Sequence, residues 1–152
     1  MKKRQAFTLI EILLVIGIIV LLAGAIIVAI NPGRQFAKAR NTQRVTDVNA
    51  ILSSIVQDMT DNQGRWNCTG STNYATSLPA TTATIVTVAE NNSSEINLSC
   101  LAPNYVPRIP VDPSKQNTDT NTGYTLQYNT STGRITICAP QAELNETICT
   151  QR

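Results

Sequence analysis

The sequence predicts an α+β protein, with a long N-terminal hydrophobic helix and a small antiparallel sheet head. Three observations carry this expectation. Phe7 to Ile30 is a 24-residue run in which only Thr8 and Glu11 are plainly polar. Val45, Val48, Leu52, Ile55, Val56 and Met59 recur at spacings of 3, 4, 3, 1 and 3, an amphipathic helical stripe. From Arg65 onward the chain turns to Thr, Asn and Ser with short β-branched runs, the composition of strands and loops. A chain of 152 residues has room for one domain beside the N-terminal segment, and not for two.

The first element, residues 7–30, reaches about 36 Å as a helix, enough to cross a hydrocarbon layer of about 30 Å. Its Ile and Val content does not favour helix in water, but lipid requires a lone segment to satisfy its own backbone. Glu11 is its sole charge. An ionised carboxylate there costs on the order of 2–3 kcal/mol unless it stays wet near the interface or has a partner. The segment holds no cation, so a partner must be a chain terminus or another molecule. A cleaved secretory signal is a competing reading, with Ala23-Gly24-Ala25 as its site, yet the apolar run continues past it. A plain single-pass anchor also fits the length and leaves Glu11 unexplained.

Lys2, Lys3 and Arg4 precede the apolar run, whereas Arg34, Lys38, Arg40 and Arg44 follow it, so charge alone does not orient the segment. The formal charge of +2 comes from the first cluster; without it, nine basic side chains face ten acidic ones. The second cluster, at spacings of 4, 2 and 4, lines no narrow face and is expected at lipid headgroups. DNA binding is the weaker alternative, since no aromatic residues interleave the cations.

Asn31-Pro32-Gly33 breaks the helix: proline lacks a donor and clashes with the preceding turn, so Pro32 and Gly33 mark a kink or a separation. Residues 31–64 form the amphipathic continuation, stopped at Asp61-Asn62-Gln63-Gly64, with Gly64 available for a left-handed cap. Residues 65–152 form the head. Thr84–Val88, Tyr124–Tyr128 and Arg134–Cys138 read as strands, the last two an antiparallel hairpin whose Tyr124, Leu126 and Tyr128 face the helical stripe. Three prolines in 105–113 exclude helix or central strand there.

Cys68, Cys100, Cys138 and Cys149 all follow the apolar segment without a CxxC pair, and the chain has no His. Two disulfides in an oxidising exterior fit better than zinc, and three pairings are open. Asn117, Asp119 and Asn121 offer oxygens to calcium but lack a bidentate Glu at the right distance, so no cofactor is expected. Sequons at Asn67, Asn91, Asn92, Asn97, Asn129 and Asn145 are commonplace in so Asn- and Thr-rich a chain. With no nucleophile–base pair and no histidine, an enzyme is not expected.

MKKRQA followed by FTLIE and a long Ile/Leu/Val run resembles the N-terminus of type IV pilins and pseudopilins, the class III signal. The resemblance implies a leader at residues 1–6, a cut between Ala6 and Phe7 by a prepilin peptidase, and N-methylation of Phe7. It makes Glu11 the fifth mature residue, whose carboxylate neutralises a neighbour's Phe7 amine during assembly. Ala6 departs from the usual glycine at the cut but keeps a small residue there. The pilin fold, a head outside the cytoplasmic membrane and then an extracellular filament follow as expectations. So do related minor pilins and an assembly platform as partners, with the basic cluster pairing across subunits. The pairing Cys68–Cys100 with Cys138–Cys149 is preferred because many pilins close a C-terminal loop in this way. Residues 105–113 also look like the proline-rich segment before the last hairpin of many pseudopilins, some of which carry calcium nearby. The implied function is a structural subunit of a type IV pilus-like filament serving adhesion, motility or DNA uptake. A pseudopilin of a type II secretion-like machine is the alternative, and a monomeric membrane-anchored adhesin is one of another class.

Overall fold

The computed structural model describes residues 7–68, 77–87, 94–115 and 120–152. The elements are α1 (Leu9–Ala29), α2 (Pro32–Asp61), β1 (Ala83–Val86), β2 (Glu95–Asn97), a 3₁₀ turn (Ser99–Leu101), β3 (Asn121–Asn129), β4 (Arg134–Cys138) and β5 (Cys149–Gln151). The chain divides into two compact units, Met1–Phe36 and Ala37–Arg152.

In the first unit, Thr8 caps α1: its hydroxyl accepts the Glu11 N–H at 3.3 Å, meeting one of the donors every helix start leaves free. The helix stops before the proline. Ile30 donates its N–H back to the Ile26 carbonyl at 3.1 Å, and Asn31 then caps the next helix, its side-chain oxygen accepting the Arg34 N–H at 3.3 Å. Pro32 is therefore the first residue of α2, where its missing N–H costs nothing.

The second unit is α2 from Ala37 onward with a five-stranded sheet in the order β2-β1-β3-β4-β5. The β3–β4 hairpin pairs Thr125 with Cys138 through to Asn129 with Arg134. Its turn closes as Gly133, at φ 71°, donates to the Asn129 carbonyl at 2.8 Å. β5 pairs antiparallel to β4, opposing Cys138 to Cys149.

Two strand expectations are corrected. The sheet is mixed, since β1 and β2 run parallel from Thr84↔Glu95 to Val86↔Asn97. β2 has three residues and one apolar side chain, Ile96, too little alternation to announce a strand or its direction. β1 ends at Val86, and Val88 lies outside the described residues.

Val48, Ile51, Leu52 and Ile55 of α2 form one core with Ile85, Ile96, Tyr124, Leu126, Ile135 and Ile137 of the sheet. The helical stripe is rotated from the expected one: Ile51 is fully buried, while Val45 is 46 % exposed. The buried face runs through Ala37, Asn41, Arg44, Asp47, Val48, Ile51, Ser54, Ile55 and Asp58, still at helical spacing. Its N-terminal half is polar, so a stripe defined by apolar residues alone starts late.

α2 ends in a Schellman motif, the Gly64 N–H reaching the Met59 carbonyl at 2.7 Å. The left-handed residue at the cap position is Gln63, at φ 58°, with Gly64 following at φ 83°. Residues 105–113 form neither helix nor strand. Cys68 is bonded to Cys100 and Cys138 to Cys149.

Candidate functional site

The N-terminal unit presents α1 as a rod of exposed apolar side chains. Every large one from Leu9 to Ile27 is exposed, and nothing in the span is buried. In water such a surface is untenable: at about 25 cal/mol per Å², covering a few side chains outweighs most polar contacts. The span is long and apolar enough to cross a membrane. Phe7 lies just ahead of the helix, 77 % exposed, and Glu11 sits in its first turn, where a carboxylate suits the positive end of the helix dipole. Ala6 and the three leader cations lie outside the described residues.

The second feature lies in the second unit, where three polar residues of α2, Arg40, Asn41 and Arg44, reach two distant loops. Arg44, with none of its side chain exposed, grips Asp112 in a fork: Nε to Oδ2 at 2.8 Å and Nη2 to Oδ1 at 3.0 Å. Its Nη1 donates to Asn41 Oδ1 at 2.8 Å and to Glu143 Oε1 at 3.1 Å. Arg40 forks onto the same Glu143, both bonds 2.6 Å. Asn41 then pairs with the Glu143 backbone, donating to its carbonyl at 2.8 Å and accepting its N–H at 3.0 Å. Glu146 accepts from Asn41 as well, at 3.0 Å. Glu143 and Glu146 belong to the loop closed by Cys138–Cys149, so this cluster clamps that loop onto α2.

The charges are matched to their setting. Burial raises the Asp112 carboxyl, but hydrogen bonds from Arg44 and Ser114 outweigh it and hold the pKa below the usual range. Hydrogen bonds from Arg40, against a smaller desolvation, and from Arg44 hold Glu143 at about 2. The Tyr124 phenol donates to Asp47 at 2.7 Å, and burial, then that carboxylate, pushes it far above its ordinary value. No buried side-chain polar atom among the described residues lacks a partner. Gly123 is required here: at φ 85°, an added Cβ would stand 2.8 Å from the Asp112 Cβ.

This arrangement corrects the reading of the basic cluster. Arg44 is fully enclosed by Asp112, Asn41 and Glu143 and so is not at lipid headgroups or a neighbouring chain; Arg40 is paired with Glu143 with 38 % of its side chain exposed, and Arg34 and Lys38 are exposed. Asp112 and Glu143 lie 68 and 103 residues from their partners, so no local spacing announces the pairing. What the sequence did carry was Asn41, Arg44 and Asp47 in phase with Val48 and Ile51.

Of the calcium candidates, Asn117 and Asp119 lie outside the described residues, and Asn121 turns its side-chain oxygen to the Gly123 N–H at 2.8 Å. Among the described residues no group of His, Cys, Asp or Glu is placed to hold a metal. The Asn97 sequon is buried, its side chain accepting the Ser99 N–H at 2.9 Å.

Thr8 and Glu11 thus stand at the start of a helix whose large apolar side chains are exposed from Leu9 to Ile27. No curated protein and no solved structure gives a significant match to the chain. Residues 1–27 match the family described as the prokaryotic N-terminal methylation motif, the class III signal of type IV pilins and pseudopilins.

Proposed function

We propose that the chain is the precursor of a structural subunit of a type IV pilus-like filament. A prepilin peptidase cuts it between Ala6 and Phe7, and Phe7 becomes the N-methylated terminus. The apolar helix holds the subunit in the cytoplasmic membrane, head outside, until it polymerises. The observation that carries this reading is Glu11, one carboxylate in a span whose apolar surface is exposed throughout, within the methylation motif. A terminal amine has a pKa of roughly 8, so Glu11 of one subunit and the Phe7 amine of a neighbour compensate each other at pH 7. Pairing of this kind fixes register, while burial of α1 among other copies supplies the driving force.

The test is the intact mass and N-terminal residue of protein from its native host, followed by Glu11→Ala. A chain beginning at N-methyl-Phe7, with surface filaments that vanish in the variant, is the expected result. A chain still beginning at Met1 beside an active peptidase overturns the reading, and unchanged surface display in the variant favours a monomeric anchored adhesin. A second reading, a pseudopilin of a type II secretion-like machine, is favoured by the proline-rich 105–113 segment before the hairpin. It predicts that Glu11→Ala blocks secretion of a cargo protein while no long surface filament exists in the wild type.

A further inference from the structure

Asn91 and Asn92 lie outside the described residues, and the structure separates the remaining sequons. Asn97 is buried. Asn67 gives its side-chain amide to Asn62 at 2.9 Å and its backbone N–H to Asp58 at 3.1 Å, beside the disulfide-bonded Cys68. Asn129 pairs with Arg134 at the end of β3. Its side-chain oxygen holds the turn, accepting the Ser131 and Thr132 N–H groups at 3.0 and 3.1 Å. Asn145 differs on each count. It belongs to no helix or strand, and residues 144–147 are all exposed. Neither its carboxamide nor the Thr147 hydroxyl bonds to any described residue. The stretch is an exposed tip between two fixed points. Before it, Glu143 is held by Arg40 and Asn41; after it, the Ile148 carbonyl accepts the Ala139 N–H at 2.9 Å. A left-handed backbone, φ 57°, is enough to explain an asparagine at 145. It does not explain an exposed, unengaged threonine two residues on.

We propose that Asn145 is a modification site, the acceptor of an N-linked glycan through Asn145-Glu146-Thr147. The motif has a non-proline residue between asparagine and threonine, as an acceptor needs. A transferase must take the asparagine and threonine side chains together with the backbone between them. A segment already in a strand ladder or a closed turn must first be unpaired, which sets Asn129 back; the tip at 144–147 has no ladder to break. In the reaction the Asn145 amide nitrogen bonds to the anomeric carbon of a sugar as that carbon's bond to a lipid diphosphate breaks. The nitrogen loses one proton, and the diphosphate leaves with the electron pair. The co-substrate is thus a lipid-linked oligosaccharide diphosphate, which resides in a membrane, and α1 is long and apolar enough to hold this chain in one. The inference rests on the proposed placement of the head outside that membrane, on the side where such a transfer would meet it.

The test is mass spectrometry of the full chain purified from its native host, reduced and digested with trypsin. Cleavage after Arg134 yields the peptide Ile135–Arg152, in which Asn145 is the sole asparagine. The expected peptide is heavier than its sequence by a whole number of sugar residues, and fragmentation places them on Asn145. Asn145→Gln and Thr147→Ala should each abolish the added mass, whereas Thr147→Ser, which keeps the hydroxyl, should retain it. A bare wild-type peptide overturns the proposal. So does sugar carried on Thr136, Thr147 or Thr150, or added mass that persists in Thr147→Ala. The N-terminal residue of the same sample reads the proposed function separately. A chain beginning at N-methyl-Phe7 with a bare 135–152 peptide overturns this inference alone. Sugar on Asn145 of a chain still beginning at Met1 upholds it and overturns the processing.

Discussion

Arg44 is the side chain on which most of the head's polar interior depends. Arg44→Ala would leave Asp112 buried without its cation, and a loss of about 3–5 kcal/mol is expected in urea unfolding. A loss under about 1 kcal/mol would show that water or Ser114 replaces it. Glu143 supplies a pH dependence whose sign is fixed. Its folded pKa, about 2, lies below the ordinary 4.5, so the stability it adds is complete above about 4.5 and is lost as the pH falls from there toward 2. The melting temperature should drop across that window, and by less in Glu143→Gln. At the far end of α2 the opposite kind of residue is found. Gln63 occupies a left-handed cap that glycine fills at no steric cost, so Gln63→Gly should raise stability by up to about 1 kcal/mol. A destabilised variant would show that the Gln63 side chain holds the cap. None of these three roles could be read from spacing, because two depend on residues far along the chain and one on a single backbone angle.

Elements differ in how plainly the sequence announces them, and length decides most of the difference. The β3–β4 hairpin has alternation in Tyr124, Leu126 and Tyr128 and a glycine-closed turn, and it forms where expected. β2 and β5 have three residues each, and their place in the sheet comes from neighbours rather than from their own pattern. β5 in particular is held by the Cys138–Cys149 bond and by Arg152, which exchanges both backbone bonds with Ile135 at 2.9 and 3.1 Å. Removing both cysteines should cost about 3 kcal/mol by loop entropy. The same change should couple to Arg44→Ala by at least about 0.5 kcal/mol in a double-mutant cycle, since the bond and the clamp hold one loop. Strict additivity would mean that the loop keeps its place without them.

For the whole molecule, the division between Phe36 and Ala37 separates a segment with no core from one with a complete core. A chain beginning at Ala37 is expected to be soluble and monomeric by gel filtration, with the head's circular dichroism, whereas the intact chain requires detergent. Aggregation of the shortened chain would show that residues 37–152 do not close their core on their own. The N-terminal motif was legible at once, because a 24-residue apolar run with one carboxylate has few explanations. The mixed sheet was not, because parallel pairing arises only from the global path of the chain.

The uncovered circumference of α1 sets a condition on any route by which copies come together. A helix is a cylinder of about 10 Å diameter, and close packing of such cylinders takes roughly six neighbours to enclose one. A pair or a trio of chains would therefore still wet most of the apolar surface. Small aqueous clusters would leave most of it wet, and two surroundings would cover it: a bilayer or, in the proposed assembly, a crowd of its own kind. A copy leaving one must enter the other without passing through water. Under the proposed function, growth and shrinkage would then belong at the membrane surface, and loss of a subunit would be a return to lipid rather than a release.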